Sequence, residues 1–147
     1  MPVKPIPEGY HTITPYLVVK GAGALLDFIK KAFDAKELER MALPDGTIMH
    51  AEVSIGDSRL MISDARGEHK PKTGMLYLYV KDADATYKRA LQAGASSVME
   101  PADQFYGDRN AGVRDQYGNE WWMATHKEDV PPEEMKKRAE ARAKSQS

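Results

Sequence analysis

Tyr16-Leu17-Val18-Val19-Lys20 recurs as Tyr77-Leu78-Tyr79-Val80-Lys81, 61 residues further along the chain. A second likeness, Gly56-Asp57-Ser58-Arg59-Leu60-Met61-Ile62-Ser63 against Gly118-Asn119-Glu120-Trp121-Trp122-Met123-Ala124-Thr125, falls at an offset of 62. One five-residue similarity arises by chance. Two at nearly the same offset, with the same kinds of element between them, mark an internal repeat. The chain is read as two copies of one module.

The elements of the module follow from local signals. In the first copy Leu25, Leu26, Ile29 and Phe33 keep helical spacing while Asp27, Lys30 and Lys31 fall on the other side, which predicts a half-buried helix. Pro44-Asp45-Gly46 is a hairpin signal between strands over 36–43 and 47–55, and residues 59–64 complete a third strand after the helix. In the second copy Asp82 or Asp84 caps a helix whose stripe is Ala83, Tyr87, Ala90 and Leu91, ended by Gly94. Residues 97–100, 112–115 and 120–126 supply the matching strands. The expected fold is α+β: two β-α-β-β-β modules, over about 11–66 and 74–126, within one domain after an N-terminal extension of residues 1–10.

Beyond His126 the composition turns strongly charged. Pro132 suits a first helical position, Glu133 and Glu134 suit the positive end of the helix dipole, and Glu133/Lys137 and Glu134/Arg138 are i,i+4 pairs. Residues 127–147 are therefore read as a charged helical tail, either a clasp or lid, or a solvated appendage.

Composition narrows the function classes. The 147 residues suffice for a single domain that buries roughly 70% of the surface its unfolded chain exposes. There is no cysteine, which excludes disulfides, thiolate metal sites and a cysteine nucleophile and favours a reducing compartment. With 21 Lys and Arg against 22 Asp and Glu, the net charge of -1 gives no global attraction for nucleic acid or an anionic membrane. The first nine residues lack the apolar stretch of a secretory leader, and no apolar run is long enough to span a bilayer. The expectation is a cytoplasmic protein whose partners are small molecules or protein. There is no Gly-rich phosphate loop or serine-nucleophile motif.

Strand alternation assigns side chains to faces. On 47–55, Met49, Ala51, Val53 and Ile55 are expected to meet the helices, leaving His50, Glu52 and Ser54 on the opposite face. Leu17, Val19, Leu78 and Val80 suit the helix face, so Thr14, Tyr16, Met75, Tyr77 and Tyr79 point the other way. On the last strand Trp121 and Met123 are expected inward, and Glu120 and Trp122 outward. Applying the offset of 62 to Glu52 adds Arg114 to the outward set. Tyr16, Tyr77, Tyr79 and Trp122 beside Arg114 and Glu120 combine aromatic walls with a few polar groups, as ligand pockets do. Core packing of the aromatics is the competing reading. His50 and Glu52 are the candidates for acid/base work or for an unusual metal site, against a plain hydrogen-bonded network of His50, Glu52 and Arg114.

A chain of two β-α-β-β-β modules whose sheet curls around a central cavity resembles the vicinal oxygen chelate superfamily, which includes glyoxalase I, extradiol dioxygenases and bleomycin-resistance proteins. Ile48-Met49-His50-Ala51-Glu52, Leu60-Met61-Ile62-Ser63-Asp64 and above all Tyr106-Gly107-Asp108-Arg109-Asn110-Ala111-Gly112-Val113-Arg114-Asp115-Gln116-Tyr117-Gly118-Asn119-Glu120-Trp121-Trp122 are similar to its PhnB-like, glyoxalase/bleomycin-resistance-like branch.

That resemblance implies a divalent metal held by one ligand near the start of the first strand and one on the last strand of each module. These positions fall here on Thr14, Met75, Leu60 (Met61 if the register slips by one) and Trp122. None is an imidazole or carboxylate, so no metal or other cofactor is expected. The expected function is binding of a small aromatic or cationic molecule in an aromatic-lined cavity. The alternative is a lyase or isomerase of glyoxalase type using His50 and Glu52 as ligands or as base and acid. The resemblance also implies a twofold homodimer, with the modules closing a cavity within one chain or between two.

Overall fold

A computed structural model describes residues 3–146; the first two residues of the N-terminal extension and the last residue of the tail lie outside the described part. In the first module β1 (Tyr16–Val19) leads into α1 (Ala22–Phe33), followed by β2 (Lys36–Ala42), β3 (Ile48–Ile55) and β4 (Ser58–Asp64). The second module repeats the order as β5 (Met75–Tyr79), α2 (Ala83–Gln92), β6 (Ser96–Asp103), β7 (Asp108–Arg114) and β8 (Glu120–His126), and α3 (Pro132–Gln146) closes the chain. Each module is a four-stranded sheet, ordered β1-β4-β3-β2 and β5-β8-β7-β6, with its first strand parallel to its last and the remaining pairs antiparallel. No helix among the described residues is long and apolar enough to cross a membrane.

A parallel first and last strand require a crossover, and the helix supplies it. Asp64, at the end of β4, fixes where α1 begins: its Oδ1 accepts the backbone N–H of Gly21 (3.1 Å) and Ala22 (2.7 Å), and its Oδ2 that of Ile48 (2.7 Å). Burial works against the charge of Asp64, but the three N–H donors outweigh it and hold its carboxyl below the usual carboxylate range. In the second module Thr125 takes this place, accepting from Ala83 N–H at 2.9 Å, while Asp82 caps α2 through Ala85 N–H.

Each sheet turns one face to the helices. Leu17, Val19, Ala51, Val53, Leu60 and Ile62 from the first sheet meet Leu25, Leu26 and Ile29 of α1, and Ala111, Val113, Trp121 and Met123 from the second join the same buried cluster. The joint between modules is made by helices: α1 packs on α2, and Phe33 lies 5.0 Å from Trp121, centroid to centroid. No strand of one sheet pairs with a strand of the other among the described residues. The sheets therefore stay separate, and their faces away from the helices do not close on one cavity within a single chain.

Three local departures from the expected pattern have visible causes. A register shift in the β2–β3 ladder, where Met41 pairs with His50 but Ala42 with Ile48, bulges the strand at Met49. Ile48 takes the core position at 1% exposure, and Met49 is turned outward at 38%. Strand β6 runs past Pro101, which an edge strand with a register shift between Met99 and Ala102 accommodates. Strand β7 begins at Asp108 rather than at 112, because side-chain bonds hold three residues of poor strand propensity in extended backbone.

The ladders also settle the alignment of the modules. Tyr16 pairs with Met61 as Tyr77 pairs with Trp122, so β4 matches β8 at the same offset of 61 as β1 matches β5. On the other antiparallel partner, Glu52 faces Met61 as Gly112 faces Trp122. The counterpart of Glu52 is thus Gly112, and Arg114 corresponds to Ser54. The offset of 62 overshot by two: β4 matches β8 at 61, and the one extra residue between the rungs Arg114/Glu120, compared with Ser54/Arg59, lowers the offset of β3 to β7 to 60.

Candidate functional site

Two uncovered sheet faces carry the polar and aromatic side chains. On the first, Tyr16 lies 5.8 Å from His50, centroid to centroid, and its hydroxyl is 3.2 Å from His50 Nδ1. His50 Nε2 is 2.9 Å from Glu52 Oε2. The carboxylate accepts a hydrogen from Nε2, which in the neutral ring leaves Nδ1 as the acceptor for the Tyr16 hydroxyl. The result is a line Glu52–His50–Tyr16 that ends on a phenol 44% exposed. At one end of this face the Arg59 guanidinium stacks over Tyr10, 5.3 Å from its centroid, so the N-terminal extension covers part of the sheet.

The second face is richer. Asp108 is buried at its centre of bonding: Oδ2 accepts from Tyr77 (2.7 Å) and Tyr79 (3.2 Å), and Oδ1 lies 2.8 Å from His126 Nδ1. Burial opposes its charge, but these partners together keep the carboxyl below its usual range. The same burial and the neighbouring carboxylate push the Tyr77 and Tyr79 phenols up. His126 bridges onward, with Nε2 2.7 Å from Asp129, and hydrogen bonding to the two carboxylates raises its pKa above that of an ordinary histidine. Asn110, 1% exposed, donates from Nδ2 to the hydroxyl oxygens of Tyr77 (3.0 Å) and Tyr106 (2.7 Å).

Further along this face Trp122 lies flat against the backbone of Gly112. A methyl group built there would meet the indole at 2.9 Å, so only glycine admits this ring position. The indole N–H of Trp122 reaches Glu120 Oε1 at 3.2 Å, and Arg114 holds Glu120 Oε2 at 3.0 Å. Hydrogen bonds from Arg114 and then Trp122 lower the Glu120 carboxyl. Beyond the Asp108 end, a wide cleft of about 630 Å³ opens among Gln104, Gly107, Arg109, Lys127 and Glu128. The tail helix is tied there, with Arg138 donating to the Phe105 carbonyl (3.0 Å) and Glu128 (2.6 Å) and pairing with Glu134 (3.1 Å).

The structure therefore distributes the sequence-derived residues over two faces. Tyr16, His50 and Glu52 are on the first; Tyr77, Tyr79, Arg114, Glu120 and Trp122 are on the second. Arg114 pairs with Glu120 and takes no part in a network with His50 and Glu52, and Glu120 does not join them. Arg109, on the opposite side of β7, grips Asp84 of α2 with two bonds of 2.7 and 2.9 Å. Sequence reasoning missed Asp108, Asn110, Gly112 and His126 as members of the face. The signal was available: Asp108, Asn110, Gly112 and Arg114 are spaced by two, but the strand expected over 112–115 begins after the first two.

Of the positions where the family's metal ligands stand, the ladder selects Met61 over Leu60, which is 4% exposed and faces the core. Thr14, Met61, Met75 and Trp122 do not fit a divalent ion. Among the described residues no group of three or more His, Asp or Glu side chains is arranged to hold one elsewhere.

Comparison with known proteins gives a consistent result. A family model, the glyoxalase/bleomycin resistance protein/dioxygenase superfamily, matches residues 10–123. An uncharacterized protein of Mycobacterium bovis is 36% identical over 134 residues, covering 84% of this chain and 88% of that protein. Among solved structures, TioX from Micromonospora sp. ML1 superposes with a TM-score of 0.67 at 25% identity, over 79% of this chain and 98% of the other. TnmS3, an antibiotic binding protein from Streptomyces sp. CB03234, shares the fold with a TM-score of 0.63 at 21% identity, over 79% of this chain and 95% of its own. The PhnB protein of Bacillus cereus does so at 0.63 and 16% identity, over 78% and 99%.

Proposed function

The chain belongs to the glyoxalase/bleomycin resistance protein/dioxygenase superfamily, and from that premise we propose that it binds a small aromatic or cationic molecule without the superfamily's usual metal. The observation that carries this reading is the second sheet face: Tyr77, Tyr79 and Trp122 stand partly exposed beside the ionised Asp108 and Glu120. Rings of this kind attract flat apolar molecules and cations alike. The antibiotic-binding role of the fold neighbour TnmS3 supports the same class of function. Thr14, Met61, Met75 and Trp122 at the ligand positions count against glyoxalase or dioxygenase chemistry that runs through an ion.

The protein acts as a twofold homodimer. Met75 (64% exposed), Tyr79 (67%), Tyr16 (44%) and Met41 (51%) put exposed apolar and aromatic side chains on both open faces, and the two sheets of one chain do not close over them. A partner copy that lays one open face against the other would complete a cavity between chains. We assign the protein to the cytoplasm, in keeping with its lack of cysteine.

A second reading, a lyase or isomerase of glyoxalase type, is favoured by the Glu52–His50–Tyr16 line, in which His50 could take a proton and Glu52 hold the resulting charge. The deciding experiment measures divalent metal in the purified protein, with and without chelator, alongside calorimetric binding of planar aromatic and cationic compounds. Substoichiometric metal and chelator-insensitive binding are expected. Stoichiometric Zn, Ni or Fe lost on replacing His50 or Glu52 would overturn the first reading in favour of the second.

A further inference from the structure

The hydrogen bonds of the second face have a direction. Ionised Asp108 has no hydrogen to give, so the Tyr77 and Tyr79 hydroxyls must donate to it. The oxygen of Tyr77 then accepts from Asn110, which fixes that amide with its Nδ2 toward the tyrosines. Asn110 Oδ1 is left buried without a partner, one of two such side-chain atoms among the described residues. The Trp122 N–H is taken by Glu120, and both ring nitrogens of His126 by Asp108 and Asp129. At this end of the face the Tyr79 oxygen, on a residue 67% exposed, still has room to accept, Asn110 Oδ1 is an unmet acceptor but buried, and the Tyr106 hydroxyl, which accepts from Asn110, keeps its own hydrogen. His126, whose two ring nitrogens donate to both carboxylates when the ring is protonated, lies between Asp108 and Asp129 and leaves that group net negative; the other cation, Arg114, sits at the opposite end, where β7 meets Glu120 on β8, and is paired with that carboxylate.

Resting on the binding function proposed above, we propose that this face recognises a protonated amine joined to a flat aromatic ring, the ring lying against Tyr77 and Trp122 and the ammonium donating to the phenol oxygen of Tyr79. Tyr77 and Trp122 are directly paired across β5 and β8, which makes them one platform. The ring of Tyr79 is 5.4 Å from that of Tyr77, a separation a short alkyl arm spans. The net negative charge that Asp108 and Asp129 keep around His126 attracts the cation and repels a carboxylate or phosphate, and the Tyr77 and Tyr79 hydrogens, both given to Asp108, are not free for an anion.

The test uses three matched probes on the whole protein: tryptamine, its N,N,N-trimethylated form and indole-3-propionate. Calorimetry gives the affinities, and the side-chain indole N–H resonance of Trp122 reports whether the platform is occupied. Tryptamine is expected to bind about tenfold tighter than the trimethylated form, which keeps the charge but has no hydrogen to donate, and the propionate weaker still by a further tenfold. Tyr79→Phe, which keeps the exposed ring and removes only the hydroxyl, is expected to bring the two amines to equal affinity. Binding of all three probes alike, with the Trp122 resonance moving, overturns the donor requirement while leaving the aromatic platform in place. Failure of all three to shift Trp122 at millimolar concentration overturns both the amine specificity and the binding function on which it rests.

Discussion

Trp121 and Trp122 are neighbours in sequence with opposite duties, because adjacent residues of a strand point to opposite faces. Trp121 is fully buried against Phe33, and its indole N–H is held by Asp115 at 2.8 Å. Trp121→Ala is expected to lower stability by about 3–5 kcal/mol in chemical denaturation. Trp122→Ala, by contrast, is expected to leave the unfolding midpoint nearly unchanged and to weaken ligand binding by about 1–3 kcal/mol. An exchange of the two phenotypes would invert the assignment of faces. His126 offers a second test at this scale. Its raised pKa means that pairing with Asp108 and Asp129 is complete below the ordinary histidine value of about 6.5 and is lost as pH rises through the higher value of the folded protein. An NMR titration is expected to place its midpoint above 6.5, and Asp129→Asn to move that midpoint down.

At the scale of elements, Asp64 joins the end of β4 to the start of α1 and to β3 through three backbone N–H groups. Gly21 precedes the helix with φ at 117° and supplies no cap of its own. Asp64→Ala is expected to cost about 2–4 kcal/mol, since it leaves partly buried donors unpaired, read as a lower thermal midpoint with the sheet's circular dichroism retained below it. This joint was invisible in the sequence, where Asp64 was only the last residue of a strand. The elements themselves were legible: the repeat, the 3.6-residue stripe from Leu25 to Phe33 and the Pro44-Asp45-Gly46 turn gave the α+β architecture and its two modules. What periodicity could not reveal were events that break it. The bulge at Met49, the longer β7–β8 turn and the extension of β7 back to Asp108 each depend on pairing partners distant in the chain. They displaced Leu60 in favour of Met61, Arg114 in favour of Gly112, and concealed Asp108 and Asn110, around which the second face is built.

For the whole molecule, the separation of the sheets makes assembly testable. Sedimentation is expected to show a dimer at micromolar concentration, with Tyr79 and Met75 less accessible to chemical modification than their exposure in one chain implies. A monomer at all concentrations would refute the homodimer. The two modules also carry a record of their divergence. On the side that meets the helices, Ala51 and Val53 of one have Ala111 and Val113 as counterparts in the other; on the open side, His50 and Glu52 have Asn110 and Gly112 as counterparts. Along these two strands the helix side is the same in both modules and the open side differs; between β4 and β8 it is the core that changes, from Leu60 and Ile62 to Trp121 and Met123, while Tyr16 and Tyr77 on the open side are alike. The open side of β3 and β7 can change its chemistry without loss of the fold. Such a scaffold is evolvable by alternate residues: two strands of common pattern carry different chemistry on one side while their backbones keep the same place in the fold.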